Sequence, residues 1–172
     1  MTLQYCPHCG KPSLKWINQR KFSCDACGFV LYQNCAAAVA VLLTYRDEIL
    51  LTRRNQEPKK GFLDLSGGFC DPNETAEQTC ARELWEELQL TINPEKLQYL
   101  GSQANVYPYK EVNYNTVDLF YRYALDEKPD FNLEEHEINA VVWLKKDELN
   151  LEELAFESQK RFLNHYLKTT DS

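Results

Sequence analysis

Glu83, Glu86 and Glu87 stand at i, i+3 and i+4 of one helical repeat, where side chains on a helix surface meet. Three carboxylates held that close repel one another, which costs little on a face turned to water. They gain a use if a hard divalent cation sits among them, because Mg²⁺ takes oxygen ligands and often shares them with substrate phosphates. A second donor set lies near the N-terminus. Its two halves are Cys6-Pro-His-Cys9-Gly and Cys24-Asp-Ala-Cys27-Gly, with fourteen residues between Cys9 and Cys24. Each forms a knuckle in which backbone amides can point at thiolate sulfurs, and the two together suit one tetrahedral zinc held by Cys6, Cys9, Cys24 and Cys27. A redox CxxC pair comes singly and opens a helix, whereas this segment is short, polar and hairpin-like. His8 is a spacer inside its knuckle. So small a segment buries too little apolar surface to fold alone, so zinc would supply its folding energy.

The acid triplet needs a helix. Thr75 with Gln78 reads as a capping box, so the helix starts at Thr75. Ala81, Leu84, Trp85 and Leu88 fall on one side, which is expected to pack inward. The pair Gly67-Gly68 before it marks a tight turn. Upstream, Ala36 to Tyr45 is a near-continuous apolar run and reads as a buried strand. Arg46-Asp47 turns it, and Glu48 to Arg54 returns as a second strand. Leu97 to Val106 and Tyr114 to Leu125 read as two further strands around an aromatic loop, residues 107–113. Tyr107, Tyr109 and Tyr114 either cover a sheet edge or offer a ring on which a base stacks. A strand over Ala140 to Leu144 with a core Trp143, and a closing helix over residues 152–167 with Leu154, Phe162 and Leu163 inward, complete the chain. Its last few residues are expected to fray. Cys35 reads as a free thiol, and Cys70 and Cys80 as packing residues.

The spacing around the acids is specific. Gly68 is followed after five residues by Glu74, and after seven more by Arg82-Glu83-Leu84, Glu86-Glu87 and Leu90. This resembles the Nudix box, with Gln89 in place of its usual glycine, a position that favours left-handed backbone. The resemblance implies an α/β fold, an α/β/α sandwich with a mixed sheet, here preceded by a small zinc ribbon. It divides the chain into a ribbon, 1–35, and a hydrolase domain, 36–172. It also implies hydrolysis of a diphosphate linked to another moiety. Glu83, Glu86 and Glu87 would be ligands of Mg²⁺ or Mn²⁺, with Glu83 and Glu87 catalytic, and Gly68 would offer its carbonyl. Arg82 would pair with Glu74 and orient the acids. Arg53 or Arg54 would meet substrate phosphate, unless both are merely a solvated strand end. Glu137, just before the last strand, would reach the metals or activate water. Ser102-Gln103, Tyr107 and Pro108 are similar to the segment that zinc-ribbon Nudix enzymes of the NADH pyrophosphatase type carry past the box. Its central Pro-Trp-Pro is Ala104-Asn105-Val106 here, and the larger domain that those enzymes carry before the ribbon is not expected.

The leading substrates are therefore a dinucleotide, NADH or NAD, or ADP-ribose. The alternatives are a sensor that binds a nucleotide without cleaving it, and an RNA-decapping enzyme that docks RNA on the ribbon. Nineteen Lys and Arg against 26 Asp and Glu give the 172-residue chain a net charge of −7, which disfavours nucleic acid as a partner. No run approaches the ~20 apolar residues of a membrane span, and no signal peptide opens the chain, so a cytoplasmic protein without membrane contact is expected. Cysteines in that compartment point to metal rather than disulfides. Nudix relatives often dimerise, so a homodimer is expected as well.

Overall fold

The computed structural model describes residues 3–110 and 112–170. Glu111, inside the expected aromatic loop, and the C-terminal pair expected to fray lie outside the described residues. Strands β1 (Leu14–Ile17), β2 (Lys21–Cys24) and β3 (Val30–Tyr32) form a small antiparallel sheet. Among the described residues, Cys6, Leu14, Phe22 and Cys24 form its buried core, with Cys9 and Phe29 packed against it.

The second sheet starts with β4 (Ala36–Tyr45), β5 (Glu48–Arg54) and β6 (Leu63–Asp64), then helix α1 (Ala76–Leu88). Strands β7 (Gln98–Tyr109), β8 (Val112–Ala124) and β9 (Ile138–Lys145) follow, and helix α2 (Glu157–Thr170) closes the chain. β4 pairs in parallel with β8 and antiparallel with β5, and β9 lies along the other side of β5, so the sheet is mixed. Period-2 alternation explains its two-sided burial. Val39, Val41, Leu43, Leu50, Tyr121 and Tyr123 pack with Leu84 and Leu88 of α1. Ala40, Leu42, Ile49, Leu51 and Phe120 pack with Phe162 and Leu163 of α2. A helix layer on each face is the expected α/β/α sandwich. Leu84 and Leu163 are fully buried. Truncating either to Ala would cost about 2–5 kcal/mol.

The site depends on a fork. β4 and β5 pair only near their hairpin, over Leu43–Tyr45 and Glu48–Leu50. Beyond it they part, and residues 63–70 fill the gap. Asp64 pairs with Thr52 of β5, while Ser66 and Phe69 bridge to Val41 and Ala38 of β4. The amides of Val39 and Val41 donate to Gly68 O and Ser66 O, each at 2.8 Å. A Cβ on Gly67 would lie 2.1 Å from Val39 O, so only glycine fits there.

Three expectations need correction. The aromatic segment is not a loop: β7 runs to Tyr109 and β8 begins at Val112. β7 is an edge strand, the place in a sheet where a proline such as Pro108 is tolerated. The closing helix starts at Glu157, because Leu154 bridges to Leu63 and the Ala155 amide donates to Leu63 O at 2.8 Å, which holds the chain extended. Leu154 is buried from that extended stretch. Trp85 is 50% exposed, and Thr79, Cys80, Leu84, Glu87 and Leu88 form the buried stripe of α1. The helix is rolled toward its acid face, which carries Glu87 inside. Among the described residues no helix is long and apolar enough to cross a membrane.

Candidate active site

Helix α1 begins as its sequence requires. Thr75 N donates to Gln78 Oε1 at 2.8 Å and Gln78 N to Thr75 Oγ1 at 3.2 Å. At its far end Gln89 takes the left-handed conformation, φ 54°. Between these ends Arg82 gathers the acids. Its Nε donates to Glu74 Oε1 at 2.9 Å, and its Nη1 to Glu83 Oε1 at 2.7 Å and Glu86 Oε2 at 2.9 Å. Its Nη2 reaches Phe69 O at 3.0 Å, which ties α1 to the fork segment. The Arg82 guanidinium holds the Glu74 carboxyl down at about 2. A Cβ on Gly68 would lie 2.4 Å from Glu83 Oε1, so a bare backbone seats that carboxylate. The Gly68 carbonyl already accepts the Val39 amide and has one lone pair left.

Glu87 has no such counterion. It is 9% exposed, and its Oε2 has no hydrogen-bond partner. Burial drives its carboxyl well above the usual carboxylate range, and the charges of Asp64, Glu83 and Glu137 add to the rise. Ser66 opposes the rise, yet its own hydroxyl lacks a partner of good geometry. Glu83 is also raised, first by burial, with Arg82 opposing and Glu86 and Glu137 reinforcing. An orphaned buried carboxylate oxygen among other carboxylates is a stable arrangement once a cation joins it. The residues therefore fit a hard divalent ion.

A cleft of about 350 Å³ opens over these acids and passes through the fork to the α2 face. Gly68, Glu83, Glu87 and Glu137 line one end, and Arg54, Tyr107 and Phe156 line its other walls. Arg54 donates to Asp64 Oδ2 at 2.5 Å and lies 5.1 Å from the Phe156 ring centroid. Tyr107 meets Phe69 edge-on at 5.5 Å and Phe156 at 5.6 Å. Tyr109 and Tyr114 line an adjoining recess with Phe69. Two expected residues stand apart. Arg53 points the other way along the strand and donates to Gly61 O at 2.8 Å. Glu86 is half exposed and outside the cleft wall. Two acids escaped the sequence reading. Asp64, buried with Arg54 and Gln159, and Asp118, buried on β8, both line the cleft. A lone acid inside an apolar strand was the available signal for each.

In the ribbon, Cys6 Sγ lies 3.8 Å from Cys27 Sγ, and Cys9 Sγ lies 3.7 Å from Cys24 Sγ. All four sulfurs fall within 4.8 Å of one another. Zn–S bonds of ~2.3 Å in a tetrahedron put sulfurs ~3.8 Å apart, so the set fits zinc. Gly10 N and Gly28 N close the knuckles on Cys6 O and Cys24 O, both at 2.9 Å.

A family model of the NUDIX domain matches residues 34–166. The chain belongs to the Nudix family. Curated Nudix relatives include the NAD-capped RNA hydrolase NudC of Pseudomonas fluorescens, 33% identical over 108 residues, or 62% of this chain and 37% of that one. The protein of that name from Haemophilus influenzae is 29% identical over 149 residues, 86% of this chain and 53% of that one. The chain thus spans from about a third to a half of the length of these curated relatives. Among solved structures, a Nudix hydrolase from Nitrosomonas europaea aligns with a TM-score of 0.70 at 23% identity, covering 96% of this chain and 91% of that one. The Nudix domain of Shewanella oneidensis NrtR, cocrystallised with ADP ribose, aligns at 0.62 and 20% identity, covering 80% and 90%. At such identities the structures establish the Nudix fold alone.

Proposed function

We propose that this chain hydrolyses the diphosphate bond of a dinucleotide such as NADH or NAD, or of ADP-ribose. The observation that carries the reading is the orphaned, buried Glu87 Oε2 facing Asp64, Glu83 and Glu137 at the end of a cleft with aromatic walls. Glu83 and Glu87 would hold Mg²⁺ or Mn²⁺, with Gly68 O and Glu86 at the rim. Such an ion supplies charge neutralisation on the diphosphate and a more acidic water. Arg54 would meet a phosphate oxygen from the opposite wall, and Tyr107 would stack a base. Glu137 would accept the proton of the attacking water. The water oxygen bonds to one phosphorus, the bridging P–O bond breaks, and two monophosphates leave. The ribbon, residues 1–35, would carry a structural zinc, and residues 36–172 would form the catalytic unit, in a homodimer.

A second reading places the same diphosphate on an RNA end. The NudC relatives are named for NAD-capped RNA, and Lys11, Lys15, Arg20 and Lys21 against Asp25 alone give the ribbon a positive charge in an acidic chain. A panel of NADH, NAD, ADP-ribose, diadenosine polyphosphates and nucleoside triphosphates, assayed with Mg²⁺ or Mn²⁺, tests the proposal. Turnover by the native chain that survives in a folded Glu87→Gln variant would falsify it. One zinc per chain by elemental analysis, and a dimeric mass in solution, check the other parts.

A further inference from the structure

The α2 side of the cleft has a polar floor that the hydrolytic step does not use. Thr116 and Asp118 share one face of β8, and Ala38, opposite Asp118 in the parallel register, leaves room above it. Asp118 is 9% exposed. Three neutral donors converge on its carboxylate: Thr116 Oγ1 donates to Oδ1 at 2.6 Å, and Ser158 Oγ and Asn105 Nδ2 donate to Oδ2 at 2.6 and 2.9 Å. Asn105 is held at both ends, because its Oδ1 accepts the Val106 amide at 2.9 Å. A flipped amide would set oxygen against carboxylate and N–H against N–H, so its polarity is fixed. Donors are thereby spent in a definite way. Both hydroxyl protons go to Asp118, and Asn105 keeps one N–H. Asp118 keeps a free lone-pair position, since a carboxylate accepts about four hydrogen bonds. Asn105 and Asp118 both line the cleft. The floor therefore presents one N–H donor beside one anionic acceptor.

We propose that Asp118 and Asn105 are specificity-determining residues that read an amino group adjacent to a hydrogen-bond acceptor on the substrate. This rests on the dinucleotide reading above and names the chemistry it selects. Packing alone would be met by an apolar residue at 118, without the cost of desolvating a carboxylate. Asp118 accepts from the amino group and Asn105 donates to the neighbouring acceptor, as amide and acid side chains do on base edges. A dinucleotide offers that pair twice, as the 6-amino group beside a ring nitrogen of adenine and as the carboxamide of nicotinamide. A ring carbonyl in place of the amino group would face the carboxylate and be repelled. Tyr107 and Phe156, on the same side of the cleft, supply ring faces for a flat group so held.

The test compares kcat/KM for NAD with two analogues, one carrying hypoxanthine for adenine and one carrying nicotinic acid for nicotinamide. The native chain should prefer NAD to one of them by about tenfold or more, and the analogue that fails names the end being read. Asp118→Asn and Asn105→Ala should each reduce that preference to within about twofold, mainly through KM. A melting curve shows whether each variant folds. If Asp118→Asn does not, Asn105→Ala, at a half-buried edge-strand position, carries the test. A preference unchanged in the folded variants, or absent in the native chain, overturns the proposal. If the native chain cleaves none of the three, the hydrolase reading falls first. Calorimetric affinities for adenosine against inosine monophosphate, and for the nicotinamide against the nicotinic acid mononucleotide, then decide this one, and equal affinities in both pairs overturn it.

Discussion

Glu87 and Asp118 are carboxylates of equal exposure, 9% each, on opposite sides of one cleft. The protein treats them in opposite ways. Asp118 receives three hydrogen bonds from Thr116, Ser158 and Asn105. Glu87 has an oxygen with no partner and acidic neighbours in Asp64, Glu83 and Glu137. The fold has supplied one group with three donors and left an oxygen of the other with none. Burial alone thus does not mark a reactive acid. Burial without compensation is the stronger pointer to one, because it carries a desolvation cost that a bound ligand could repay.

The sharpest way to break this comparison is Glu87→Gln. Hydrolysis should fall at least about a thousandfold, while the metal-free protein melts no lower than the native chain, because a buried carboxyl with an unpartnered oxygen among acidic neighbours has gone. A clear drop in melting temperature would show that Glu87 is compensated after all. Asp118→Leu should do the reverse to stability. Three donors lose their acceptor, and the denaturant midpoint should report a loss of about 3 kcal/mol or more. Mg²⁺ at a hundredfold excess over its Kd should stabilise the native chain by about 2.7 kcal/mol and leave Glu87→Gln nearly unmoved, read by thermal melts with and without chelator. Glu74→Gln weakens the Arg82 bracket without touching Glu87. It should cost about 10–100-fold in activity or metal affinity, measured by titration against the ion. The smallest effect is a control on the same helix. Gln89→Gly relieves a left-handed non-glycine residue and should stabilise the fold by up to about 1 kcal/mol with hydrolysis unchanged.

Much of the acid side was legible because it is local. The capping pair Thr75 and Gln78, the Arg82–Glu74 pairing and the left-handed backbone at residue 89 each involve residues within one short stretch, so spacing carries the first and the resemblance to the Nudix box implies the other two. The ribbon cysteines are two such stretches brought together. The floor was not legible, because its bonds span the chain: Ser158 to Asp118 and Gln159 to Asp64 cross 40 and 95 residues. Neighbouring arginines on a strand must face opposite ways, yet only the packed sheet shows that Arg54 enters the cleft and Arg53 leaves it. Trp85 misled for a related reason. Rolling α1 to bury Glu87 turns the tryptophan outward, and a hydrophobic stripe counts against burying an acid.

The fork between β4 and β5 has a consequence for how such a protein can change over time. It lets the acids approach from the α1 face while the Asn105–Asp118 floor approaches from the α2 face, with residues 63–70 between them. On the proposed reading, mutations that retune what is held would therefore fall on β7, β8 and the start of α2. Those that would damage the proposed hydrolysis would fall on α1 and the Gly67–Gly68 turn. If the proposed roles hold, a lineage, or a protein engineer, could explore new substrates on one side of the sheet while the hydrolytic residues on the other are inherited intact.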